Sequence, residues 1–134
     1  MNSLGIQRPL AVMMRSAAQT ISPDATACDA ARQMRVAKVG ALLVREGTCY
    51  LGIVSEADLV RKVLAESLIP AHTLVRSVMS APLITIDVTA SAHDASDVMA
   101  QAGIRHVAVV EGGEVAGILS VRDLLRYFKN WGPQ

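Results

Sequence analysis

Two four-residue motifs of the same form hold the side chains best suited to chemistry. Ser55-Glu56-Ala57-Asp58 and Ser120-Val121-Arg122-Asp123 each set a hydroxyl three residues before a carboxylate. By pattern alone they read as helix capping boxes, as do Thr26 with Asp29 and Ser91 with Asp94. A carboxylate in a first helical turn is kept ionised by the helix dipole. It can accept hydrogen bonds from two adjacent hydroxyls, while the free N–H groups of the same turn can meet a phosphate. Arg105-His106 adds a guanidinium capable of forked phosphate contacts. Catalysis is not indicated. No Ser/His/Asp or Cys/His constellation stands out, and His106 has no evident nucleophile. Cys28 and Cys49 show no CxxC spacing, and no His, Cys or carboxylate pair has convincing metal-ligand spacing.

The elements that position these residues are built with few aromatics. Of 134 residues, 51% are apolar but only 3% aromatic, so Ala, Val, Leu, Ile and Met must form the core. So high an apolar fraction in a small domain hints at apolar surface covered by a partner. A net charge of +1 supplies no bulk attraction to nucleic acid or membrane. Apolar runs such as Val107–Val110 fall far short of the about 20 residues of a membrane span. The start, Met1-Asn2-Ser3-Leu4, lacks a basic and apolar leader, so a cytoplasmic setting is expected, with both thiols reduced.

An internal repeat sets the architecture. Shifted by 65 positions, the chain matches itself without a gap at about 18 of 48 positions between Met14 and Arg61. Thr20-Ile21 falls on Thr85-Ile86, Asp29-Ala30 on Asp94-Ala95, and Gly52-Ile53-Val54-Ser55 on Gly117-Ile118-Leu119-Ser120. The repeats are placed at residues 8–68 and 74–130, with a break near Ser67–His72 at Pro70. Within one repeat, Thr20-Ile21 is a short extended piece, and Ala27, Ala30, Ala31 and Met34 recur at helical spacing. Ala41–Val44 and Tyr50–Val54 are strands joined at Glu46-Gly47-Thr48. A second helix begins at Ser55, with Leu59, Val60, Val63 and Leu64 on its buried face. The fold class is mixed α+β, a β-α-β-β-α unit occurring twice.

That order, ending in Gly-apolar-apolar-Ser-x-x-Asp-Leu, resembles the CBS domain, here as a tandem pair (a Bateman module) of the stand-alone bacterial type. Met13-Met14 and Val78-Met79, each followed by Thr-Ile, fit the preamble of the same domain. The resemblance covers about residues 10–129. It implies two repeats packed about a pseudo-two-fold axis, with clefts for an adenosyl ligand: AMP, ADP, ATP, an NAD-type compound or S-adenosylmethionine. It also implies regulation of a partner protein and homodimerisation. Carried over by position, one ligand site combines Asp123, Ser120 and Arg122 with Thr20, Ala25, Gly40 and Ala41, and Arg105 and His106 lie where phosphate is held. The other combines Asp58 and Ser55 with Thr85, Ile86 and Ala90. In both, the aspartate would take the ribose hydroxyls, the threonine segment would meet the adenine edge, and the alanine would leave room for the ring.

The two sites differ. Gly40-Ala41 and Glu56-Ala57 in the first repeat stand where the second has Arg105-His106 and Val121-Arg122. Glu56 would repel a phosphate unless a metal or Lys intervened, so the Asp123 site is expected to be the better one, and the Asp58 site to be weak, empty or suited to a ligand with less charge. Leu124, Leu125, Tyr127, Phe128 and Trp131 gather apolar and aromatic surface near the C-terminal end. Core packing is the default for them, and a dimer contact through the second helices is the sharper expectation. The function expected is a non-catalytic sensor for an adenosyl ligand; the alternative is a ligand-free dimerising adaptor for a partner protein. Nucleic-acid binding has no basic stripe to support it.

Overall fold

A computed structural model describes residues 9–131, without the side chains of residues 130 and 131. The expectations for residue 8 and the Trp131 side chain lie outside the described residues. The first repeat runs β1 (Thr20–Ile21), α1 (Ala27–Ala37), β2 (Ala41–Glu46), β3 (Cys49–Ser55) and α2 (Glu56–Leu59). A π-helical turn, Val60–Leu64, continues α2. A 3₁₀ turn at Pro70–His72 and the short α3 (Val75–Val78) lead to β4 (Thr85–Asp87). The second repeat continues with α4 (Ala92–Ala102), β5 (His106–Glu111), β6 (Glu114–Ser120) and α5 (Val121–Trp131). The doubled β-α-β-β-α order expected from the sequence is therefore present. Each repeat forms a three-stranded sheet, in the orders β1-β2-β3 and β4-β5-β6. The first strand pairs parallel to the second, and the hairpin is antiparallel.

Local signals explain the helix starts. Thr26 and Ser91 accept from the amides of Asp29 and Asp94, whose carboxylates accept in return from the cap amides. The Thr26 amide, then its hydroxyl, holds the Asp29 carboxyl below its ordinary value. This cap's stabilisation is therefore present above the ordinary aspartate range and lost as pH falls through the lowered value. One stretch departs from expectation. Val63 is buried, but Val60 and Leu64 are 56% and 62% exposed. The Ala65 amide reaches back five residues to Val60, so the turn widens and the 3.6-residue face assumed for this helix does not persist.

The compact units are offset from the sequence repeats. One comprises Ala18–Leu83, and the other comprises residues 9–17 with 84–131. The segment that opens each repeat thus belongs to the unit holding the other repeat's sheet. In the contiguous unit, Ser80 exchanges two backbone hydrogen bonds with Ile53 of β3, at 3.0 and 2.8 Å. In the other, Arg15 does the same with Ile118 of β6, at 2.8 and 3.1 Å. We call these opening segments arms. Each arm also plants apolar anchors. Val75 and Val78 join the core of Ile21, Ala30, Met34, Leu42, Val44 and Val54. Leu10 joins that of Ile86, Ala95, Met99, Val107, Val109 and Leu119. Leu124 is buried there, and Tyr127 and Phe128 pack against that core, as the default reading of the C-terminal stripe holds. Leu125 is 64% exposed.

The arm pairing explains a glycine in each motif. A Cβ on Gly117 would lie 2.7 Å from the Arg15 carbonyl oxygen and 2.8 Å from Met14 Sδ; one on Gly52 would run into the Ser80 carbonyl oxygen. Gly117→Ala should therefore cost about 1–3 kcal/mol through overpacking, read as a lower urea midpoint. Gly112→Ala, where no heavy atom crowds the new Cβ, tests turn strain alone.

Candidate functional site

Both Ser-x-x-Asp motifs sit where the last strand of a sheet turns into a helix. The hairpin registers place Ala41 opposite Ser55 and His106 opposite Ser120. The Glu56 amide donates to the Gly40 carbonyl at 3.0 Å, and the Val121 amide to the Arg105 carbonyl at 2.9 Å. One end of the β4-β5-β6 sheet thus gathers Arg105, His106, Ser120, Arg122 and Asp123. Arg105 and Arg122 are exposed, and His106, Ser120 and Asp123 are half-buried. This end presents two guanidinium groups beside the first turn of an 11-residue helix. The matching end of the β1-β2-β3 sheet has Gly40, buried Ala41, Ser55, Glu56 and Asp58.

The two aspartates have different surroundings. Asp123 Oδ2 accepts from the Ser120 amide at 2.9 Å, and the Asp123 amide donates to Ser120 Oγ at 3.1 Å. Its Oδ1 faces Arg126, 3.9 Å away, whose side chain is 68% exposed. Asp58 keeps the cap: Oδ2 accepts from the Ser55 amide at 2.9 Å and from Ser55 Oγ at 3.1 Å. Its Oδ1, however, accepts from Ser80 Oγ at 2.9 Å and pairs with Lys62 Nζ at 2.9 Å. Lys62 also donates to the Val78 carbonyl at 3.1 Å and to Ser80 Oγ at 3.3 Å. Asp58 is buried among these partners.

The remaining sequence-derived residues lie in their own units as follows. Thr20 is half-buried in β1, and its carbonyl accepts from Gln33 Nε2 at 2.8 Å. Ala25 uses both backbone groups, its amide on Ser22 and its carbonyl for Val75. Thr85 is exposed, whereas Ile86 is a core side chain that can offer only its backbone. Ala90 donates its amide to Asp87. Lys62 and Ser80 were not foreseen. The spacing of four between Asp58 and Lys62 is an ion-pair signal readable in sequence, but the Ser80 contact depends on the arm. Among the described residues, no group of three or more His, Cys, Asp or Glu could hold a metal ion. No described helix is long and apolar enough to cross a membrane.

The CBS domain pattern matches residues 10–65 and 75–130, nearly the whole chain. The chain belongs to the CBS-domain family. As a tandem CBS-domain protein it falls among regulatory and sensor modules, which are generally non-catalytic. It is 37% identical over 120 residues to the CBS domain-containing protein CBSCBSPB2 of Arabidopsis thaliana, covering 89% of this chain and 22% of that protein. The chain spans between about a fifth and about half of the length of the curated relatives it first matches. A Burkholderia ambifaria protein with CBS domains superposes with a TM-score of 0.84 at 28% identity, covering 89% of this chain and 88% of that one. A hexameric CBS-CP12 protein from bloom-forming cyanobacteria superposes with a TM-score of 0.80 at 30% identity, covering 92% and 73%.

The Asp123–Arg126 contact is long and exposed. Arg126→Ala should leave unfolding free energy within about 0.5 kcal/mol of the parent, checked by denaturant titration.

Proposed function

We propose that this tandem CBS pair is a non-catalytic sensor that binds an adenine nucleotide or related adenosyl compound through Asp123. AMP, ADP, ATP, an NAD-type compound and S-adenosylmethionine are its candidate ligands. The observation that carries the reading is the state of the Asp123 carboxylate. One oxygen is steered by the Ser120 amide, and the other has a distant, exposed guanidinium as its partner. A ribose diol can replace a contact that weak with two charge-assisted hydrogen bonds. Arg122 and Arg105, exposed at the same sheet end, suit the phosphates of a nucleotide, and the first turn of α5 adds its dipole.

Binding then acts by preference. A ligand shifts a conformational equilibrium only by the difference in its affinity for the two states. The output passes to a regulated partner protein or to the chain's own assembly in a cytoplasmic setting. Self-association is supported by the exposed Val60, Leu64 and Leu125 on the second helix of each repeat, a homodimer being the simplest form. The hexameric cyanobacterial relative is a precedent for assembly in this fold.

Thermal unfolding with AMP, ADP, ATP, NAD⁺, NADH and S-adenosylmethionine tests the reading, with GTP as control. A ligand at about 100 times its Kd adds about 2.7 kcal/mol, a rise of several degrees for a domain this size. The rise should occur with one adenosyl compound and vanish in Asp123→Ala. No rise with any, in protein free of co-purified nucleotide, would favour the dimerising adaptor. For assembly, the parent should sediment as a dimer, and Leu64→Glu with Leu125→Glu as a monomer.

A further inference from the structure

We propose that Lys62 and Ser80 fill the Asp58 carboxylate from within the chain, so that the first Ser-x-x-Asp motif is a structural tie and each chain takes one adenosyl ligand, not two. The stoichiometry rests on the reading of Asp123 above; the tie does not. A carboxylate offers about four acceptor positions, and Asp58 has four donors on them. The Ser55 amide and hydroxyl take Oδ2, and the Ser80 hydroxyl and Lys62 ammonium take Oδ1. The side chain is 8% exposed. A ribose diol would have to evict an ammonium at 2.9 Å that is also anchored on the Val78 carbonyl. Separating one member of such a pair strands a poorly hydrated charge.

The sequence repeat shows why only one motif is closed. At the 65-residue offset, Tyr127 stands where the first repeat has Lys62, and Ser80, in the arm of the contiguous unit, is matched by Arg15 in the arm of the other. Asp123 therefore has neither the ammonium nor the hydroxyl, although its Ser120 cap and its arm pairing are the same. Two side chains in each unit, one after the second helix and one in the arm, separate a filled carboxylate from an available one. They also give the tie a structural purpose. Lys62 and Ser80 join the turn after α2 to the arm at Val78–Ser80, beside the backbone bridge to Ile53.

The test has two arms on the full chain. Without ligand, thermal unfolding is compared for Asp58→Asn, Lys62→Met, their double variant and Asp123→Asn. The expected result is a fall of several degrees for each of the first two, a double variant little worse than either, and a change within about a degree for Asp123→Asn. With ligand, calorimetric titration with AMP, ADP and ATP should give about one site per chain, lost in Asp123→Asn and kept in Lys62→Met, which preserves the aliphatic stem. Two sites in the parent, or loss of binding in a folded Lys62→Met, overturns the proposal. Additive or negligible effects of the Asp58 and Lys62 substitutions also overturn it. If neither these nucleotides nor NAD⁺, NADH or S-adenosylmethionine bind the parent, the adenosyl reading falls, and the ligand-free arm alone decides whether Asp58 is a tie.

Discussion

Backbone laid against backbone, with no room for a side chain between, is the constraint on which both units depend. At Ile53 and Ile118 an arm closes the free edge of the hairpin through a reciprocal pair of hydrogen bonds. The approach is possible only because the adjacent residue is glycine. An open edge would leave donors and acceptors unpaired; the arm satisfies them and adds its own anchors, Leu10 or Val75 and Val78, to the core. The same closure fixes the strand immediately before each Ser-x-x-Asp motif. The geometry of the carboxylate is thus inherited from a pairing several residues upstream.

From that shared frame the motifs diverge through what surrounds them. A capping box is a local device: its hydroxyl and carboxylate satisfy orphan amides at a helix start, and all four boxes in this chain do so. Local capping occupies only one of the two aspartate oxygens by its amide bond, so tertiary neighbours decide the use of the other. In the first repeat it joins a network of part-buried, charge-assisted bonds. In the second it meets an exposed guanidinium at the limit of an ion pair. Duplicated sequence has thus kept one chemical group and given it two electrostatic settings.

The fold was largely legible in the sequence because its signals are local. The 65-residue offset, the Ser and Thr caps and the apolar runs at Ala41–Val44 and Val107–Val110 all act within a few residues of themselves. What escaped depends on distance. The offset identifies repeats but does not say which sheet an opening segment will join, so the reassignment of residues 9–17 was invisible. Val60 and Leu64 carry a helical apolar spacing that a widened turn leaves exposed. The asymmetry of the candidate site was read from Glu56, Arg105 and Arg122. Of the closer causes on Asp58, Lys62 stands four residues away at a readable spacing, whereas Ser80 required a segment 22 residues away in sequence to be folded back.

The arms also impose an order on synthesis. The contiguous unit is complete once residue 83 has left the ribosome, because its arm follows its hairpin by about 27 residues. The other unit's arm emerges first and waits, since Arg15 and Ile118 are about 103 residues apart. Closing the longer span costs about 1 kcal/mol more in chain entropy. Until the last strand is made, Leu10 has no core to enter. The nascent chain therefore carries an arm with an unburied leucine anchor after the contiguous unit is complete, and an arm made ahead of its own sheet is among the last segments to find its place.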